Sequence, residues 1–161
     1  VRPLTVPETA VLASVVASAL CVVVPAFFRN VHASRLVEPM DGLEQISARC
    51  IALSLGRPTE TAFPPSAPLT PATVPRGEVV EDPPGTWDHP TWRELDFRIE
   101  TPHSFSFAFE SKNGPEESTF RAVAHGDLDG DGSQSTFSIS GGVRRGEAPF
   151  RNPIEIHREV E

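Results

Sequence analysis

Only two cysteines occur in the 161 residues, so no disulfide framework is available. Cys21 and Cys50 fall on one expected helix, and their separation of 29 positions corresponds to roughly 43 Å at 1.5 Å per residue. A bridge needs its Cα atoms within about 7 Å. Cys21 therefore reads as a lipid-facing or helix-packing residue and Cys50 as a core residue. Basic charge is also scarce. The chain has 14 Lys and Arg against 22 Asp and Glu, a formal net charge of −8. Phosphate affinity is built from clustered Lys and Arg, so no nucleic-acid partner is expected. Common catalytic signatures are missing too: there is no H-E-x-x-H, G-x-S-x-G, C-x-x-C or P-loop. The chain is read as a non-enzyme without catalytic residues. His103 and His125 lie beside neighbouring expected strands and could meet, but a structural role is the preferred reading. Trp87 and Trp92 read as core anchors.

What is present is unevenly distributed. From Thr9 to Phe28 no residue is charged, a run of 20. About 20 residues of helix span a bilayer core. A cleaved signal would carry positive residues before a shorter run and a small-residue cleavage site after it. Here only Arg2 precedes the run, and Pro25-Ala26-Phe27-Phe28-Arg29 ends it. A membrane helix is the preferred reading, with a cleaved signal or a buried core helix as alternatives. Small residues Ala13, Ser14, Ala17, Ser18 and Ala19 permit close helix–helix approach.

Beyond the run, Leu36, Met40, Leu43, Ile46, Cys50 and Leu53 recur at helical spacing. One helix from about Thr9 to Leu55 is expected, interrupted at Pro25 and Pro39. Gly56 and Pro58 mark its end. All the net negative charge lies after Gly56, with 18 acidic and 10 basic residues. Nine of the 17 prolines fall between Pro58 and Pro90, which favours extended chain there. Pro90 to Leu95 suits a short helical turn.

Strands follow. Ser104 to Glu110 alternates strictly, with Phe105, Phe107 and Phe109 on one face. Thr119 to His125, Ser135 to Gly142 and Pro153 to Val160 complete an expected antiparallel meander, whose apolar face would cover the helix stripe.

These residues carry a resemblance. The N-terminal region resembles the type IV pilin and pseudopilin family, whose hydrophobic helix has a Glu and, 17 residues later, a Pro. Glu8 and Pro25 have that separation. Family members often continue F…S…E…L..I, and this chain has Phe27, Ser34, Glu38, Leu43 and Ile46. The stretch W-R-E-L-D-F at Trp92 to Phe97, the Phe-rich strand and the Asp/Gly run after Gly126 look like the globular half of pilins from some Gram-negative bacteria.

The resemblance implies an α+β, pilin-like fold: a long N-terminal helix, transmembrane in its first half, packed against an antiparallel sheet of three to four strands. The expected regions are a polymerisation helix at 1–28, an amphipathic half-helix at 29–56, a Pro-rich loop at 57–97 and a sheet head at 98–161. It also implies a structural subunit of a pilus-like filament, used for motility, adhesion or surface attachment. A type II secretion pseudopilin is one alternative, and a membrane-anchored periplasmic binding or enzymatic domain is another. Implied partners are copies of the chain or other pilin subunits, the inner-membrane assembly machinery, and membrane lipid before assembly. Implied assembly residues are Glu8, Pro25 and Leu4. In this register Leu4 is the first mature residue, but Pro3 and Leu4 stand where the family has Gly and usually Phe. In the family the Glu pairs with a neighbouring subunit's N-terminal amine. A carboxylate near hydrocarbon needs such a partner, although Glu8 could also sit at headgroup level.

Finally, Asp127, Asp129 and Asp131 occupy relative positions 1, 3 and 5 of a run with Gly132 at 6, the opening of a calcium loop. The twelfth position is Ser138, where a full EF-hand has Glu. A plain Asp/Gly hairpin turn is the competing reading. No cofactor is otherwise expected.

Overall fold

The computed structural model describes residues 6–157; side chains at 6–13, 19–20 and 22–35 lie outside the described set. The chain forms two compact units, Val1–Leu36 and Val37–Glu161. Helix α1 is continuous from Val6 to Leu55 and runs through both Pro25 and Pro39.

In the first unit, the described side chains of Ser14, Val15, Val16, Ala17, Ser18 and Cys21 are all exposed. The Ser18 hydroxyl donates to the Ser14 carbonyl at 2.8 Å, which returns its polar group to the helix itself.

The second unit is built on an antiparallel sheet. Its strands are β1 (Ala67–Thr70), β2 (Phe105–Lys112), β3 (Glu117–Gly126), β4 (Ser135–Arg144), β5 (Phe150–Arg151) and β6 (Glu155–His157). The order is β1-β2-β3-β4-β5, with β6 also pairing β4. Alternation places Phe105, Phe107 and Phe109 of β2 in the core, all fully buried. Small residues oppose them across the ladder. Phe105 pairs Gly126, Phe107 pairs Ala124, Phe109 pairs Ala122, and on β4 Gly141 pairs Phe120. A Cβ at Gly126 would lie 2.5 Å from the Phe105 ring, so only glycine leaves room there.

On this face sit Leu43, Ile46, Ser47, Cys50 and Ser54 of α1, all buried. Gly42 brings the helix backbone onto Phe107, where an added Cβ would meet the ring at 2.7 Å. Ion pairs Arg49–Asp96, Arg57–Glu94 and Arg151–Glu44 border this packing. They are largely exposed, so each contributes little.

Between β1 and β2 lies helix α2 (Pro90–Glu94), with Pro90 at its first turn and His89 accepting from the Thr91 N–H at 3.3 Å. It ends at Asp96 in the left-handed region (φ 49), where the Phe97 N–H donates back to the Trp92 carbonyl at 2.9 Å. Trp87, Trp92, Phe97 and Phe107 then form a cluster with mostly edge-on or tilted rings, at centroid distances of 5.2 to 6.4 Å. The Trp92 indole N–H donates to Thr70 Oγ1 at 2.9 Å, which satisfies its one polar atom.

The expected fold class is corrected by this arrangement. The pilin-like helix with a transmembrane first half on three to four strands is not what is found. Among the described residues no helix is long and apolar enough to cross a membrane. The described stretch 14–18 is diluted by Ser14 and Ser18. The sheet has six strands. The extra strands come from segments where proline hides the alternation. Pro68 lies inside β1, an edge strand, where a missing N–H is tolerated. Pro153 separates β5 from β6. The helix stripe is also shifted: Met40 is exposed at 40%, whereas Ser47 and Ser54 are buried. Their hydroxyls donate to Glu44 and Ile51 carbonyls at 3.0 and 2.8 Å, which lets serine occupy a core-facing position.

Candidate functional site

Three of the sequence-derived site residues come together. The β3–β4 connection carries Asp127, Asp129 and Asp131, which each offer a carboxylate oxygen within 4.8 Å of the others. Asp127 is buried, and its carbonyl accepts from the Gly77 N–H at 2.7 Å, which anchors the loop base. Its side-chain oxygens accept from the N–H groups of Gly130 (2.9 Å) and Gly132 (3.1 Å). Asp129 accepts from the Asp131 N–H at 3.2 Å, and Asp131 from the Ser133 N–H at 2.6 Å. Gly130 and Gly132 adopt φ of 78° and 92°, which a side chain would resist. The Ser133 N–H and hydroxyl hold the Asp131 carboxyl below the usual carboxylate range. The loop therefore folds on its own backbone donors as a chain of Asx turns, and it gathers three carboxylates in one place. Ser138, the twelfth position, is buried in β4 and supplies no bidentate carboxylate.

Of the expected assembly residues, Leu4 lies outside the described residues. Glu8 and Pro25 belong to α1, and their side chains lie outside the described set.

A second cluster escaped sequence reading. Glu38 on α1 accepts from the Ser104 N–H at 3.0 Å and the Phe105 N–H at 3.1 Å, at the entry to β2. Burial pushes its carboxyl pKa up. The Ser104 N–H, the His103 charge and the Phe105 N–H oppose that shift. His103 is buried, with Nε2 at 2.9 Å from Asp82 Oδ2 and Nδ1 at 2.8 Å from the Phe105 carbonyl. The Trp87 indole N–H donates to the same Asp82 oxygen at 2.7 Å. Both imidazole nitrogens are thus engaged, which leaves no free ring atom for general-base chemistry. Glu38 and His103 help to line a groove of about 410 Å³. No local sequence signal joins residues 38, 82 and 103; only the fold does.

His125 does not share this cluster. It faces Thr136 Oγ1 at 3.0 Å across the β3–β4 ladder. Burial lowers its pKa, with the Arg121 charge adding to the effect. Cys50 is buried, and burial pushes its thiol well up, so it is an inert core residue.

Comparison with protein-family models, with curated proteins and with solved structures finds no match to this chain.

Proposed function

We propose that this chain is a non-catalytic structural subunit that assembles into a pilus-type filament through the uncharged segment at 9–28 of α1. The supporting observation is the exposure of its described residues, 14–18 and 21. Val15 and Val16 are 60% and 49% exposed, beside exposed Ala17 and Cys21. Apolar helical surface of this kind gains by covering itself with lipid or with like helices. The reading rests on that surface, on the charge-free run and on the 17-residue spacing of Glu8 and Pro25. Before assembly the chain would sit in the inner membrane, and after assembly in an extracellular or periplasmic filament serving motility, adhesion or attachment.

Glu8 is the test position. In a strain where the wild-type chain enters filaments, Glu8→Ala is expected to reduce incorporation several-fold while the head keeps its circular dichroism. Immunogold electron microscopy of sheared filaments reads this out. Wild-type cells without filaments containing the chain would instead favour a domain that is only tethered.

A secretion pseudopilin with calcium at the β3–β4 loop is the second reading, and the convergence of three Asp carboxylates favours it. Under that reading millimolar calcium raises the melting temperature by several degrees and EGTA reverses the rise. An unchanged melt in both leaves the loop as Asx turns alone.

A further inference from the structure

The segment Val80–Trp87 crosses the start of β2 as a strap. Val80 and His103 exchange two backbone hydrogen bonds of 2.9 Å each. Beyond this bridge, the strap is tied by a single carboxylate oxygen. Asp82 Oδ2 receives both His103 Nε2 and the Trp87 indole N–H.

The partners fix the proton count on the ring. A backbone carbonyl can only accept, and an ionised carboxylate can only accept. His103 faces one of each, at Nδ1 and Nε2 respectively. With Asp82 ionised, both contacts are satisfied together only when each nitrogen carries a proton. A neutral ring would turn a lone pair against one of these oxygens, in a site where the imidazole is 1% exposed.

The surrounding charges fit a cation here. From α1, Glu38 interacts favourably with the His103 charge, and Asp41 lines the same groove. The approach to β2 contributes Arg98 and Glu100, which pair with each other at the surface. The strap contributes Asp82 itself.

We propose that Asp82 and His103 form a buried ion pair that latches the strap Val80–Trp87 onto β2, and that removing either charge frees the strap and bares the aromatic cluster beneath it. Trp87 is the moving part. Its ring packs edge-on against Trp92 and Phe97 at 5.5 and 5.4 Å, and its only polar atom depends on Asp82. A buried ion pair resists loss of one partner far more than loss of both, because the survivor is left charged in a dry site. Asn at 82 does not restore the latch. Its amide oxygen can take the place of Asp82 Oδ2 for both donors, but it carries no charge, so a protonated ring would be left without its counter-charge.

The full chain carries its own reporters, two Trp and no Tyr. In the ¹⁵N-labelled wild type at neutral pH, both ring nitrogens of His103 should resonate as protonated, assigned by through-bond correlation from the backbone. One unprotonated nitrogen overturns the proposal. Asp82→Asn and His103→Gln should each raise acrylamide quenching of Trp emission and shift it to the red, with far-ultraviolet circular dichroism retained. The double variant should go no further than the single ones. Additive increments, or no change in either single variant, would mean that the two residues act separately and no latch exists. Should the variants lose their circular dichroism, the wild-type ring resonances decide alone.

Discussion

Phe107→Ala lowers the stability of the head by about 3–5 kcal/mol, the range for emptying a fully buried aromatic site. Phe107 is the point where three parts of the second unit meet. It is fully buried, pairs Ala124 on β3, and its ring touches Phe97 at 5.2 Å and Trp87 at 6.4 Å. The Gly42 backbone of α1 lies against the ring, so the lost volume cannot be refilled without moving the helix. Domains of this size are stable by only about 5–15 kcal/mol, so the variant sits near the threshold of folding. Urea denaturation followed by Trp emission measures it. The midpoint should fall while the slope is retained. A loss below about 1 kcal/mol would show that the cluster is not the keystone of the core.

Gly42 supplies an internal check on the same contact. In the wild type, Gly42→Ala puts a Cβ 2.7 Å from a rigid ring. Overpacking of this kind costs about 1–3 kcal/mol, which exceeds the gain of about 1 kcal/mol in helix propensity. In the Phe107→Ala background the obstacle is gone, and the same Gly42→Ala change should stabilise. A reversal of sign between the two backgrounds assigns the effect to this one contact, because residues in contact couple and distant ones add.

That contact also marks the boundary of what the sequence reveals. The alternation of Phe105, Phe107 and Phe109 announces β2, since period 2 is a local signal carried by large residues. Helical spacing through Leu43, Ile46 and Cys50 announces α1 in the same way, and Pro90 announces α2. Three things are not local. The strands β1 and β5 are short edge segments near prolines, and edge pairing depends on which neighbour the fold supplies, whereas β6 falls inside the strand expected over Pro153 to Val160. Gly42 looks like a weak point in a helix until Phe107 is seen against it. Ser47 and Ser54 break the apolar stripe in letters but not in space, because each hydroxyl bonds a carbonyl of the preceding turn. The Asp loop was readable as a turn or a calcium loop because the spacing of Asp127, Asp129 and Asp131 is itself the geometry. The Glu38–His103–Asp82 cluster was not, since 65 residues separate the first two members and no motif spans them.

Glu38→Ala is the second large effect, about 2 kcal/mol of destabilisation. Its carboxylate accepts from the Ser104 and Phe105 N–H groups at the entry to β2. A buried donor left unsatisfied costs about 1–3 kcal/mol. Glu38 is only half-buried and lines the adjoining groove, which holds the total for the two donors to the lower end. Glu38→Gln keeps a carbonyl acceptor for those donors and should cost less. The two variants also separate hydrogen bonding from charge through their pH dependence. Burial raises the Glu38 pKa above its ordinary value of 4.5. The folded state therefore holds this proton more tightly than the unfolded state. Between pH 4.5 and the raised value, the native chain binds more protons, so this carboxyl's contribution to stability falls as pH rises. Below that window the contribution is fully present, and above it the charged carboxylate carries its desolvation cost. Urea midpoints measured from pH 4 upward should show this decline in the wild type and a flatter profile in Glu38→Gln. Other titrating groups are common to both proteins and cancel in the difference. Parallel profiles would mean that Glu38 is as well solvated in the fold as in the open chain, and the groove beside α1 would then be wet down to Ser104.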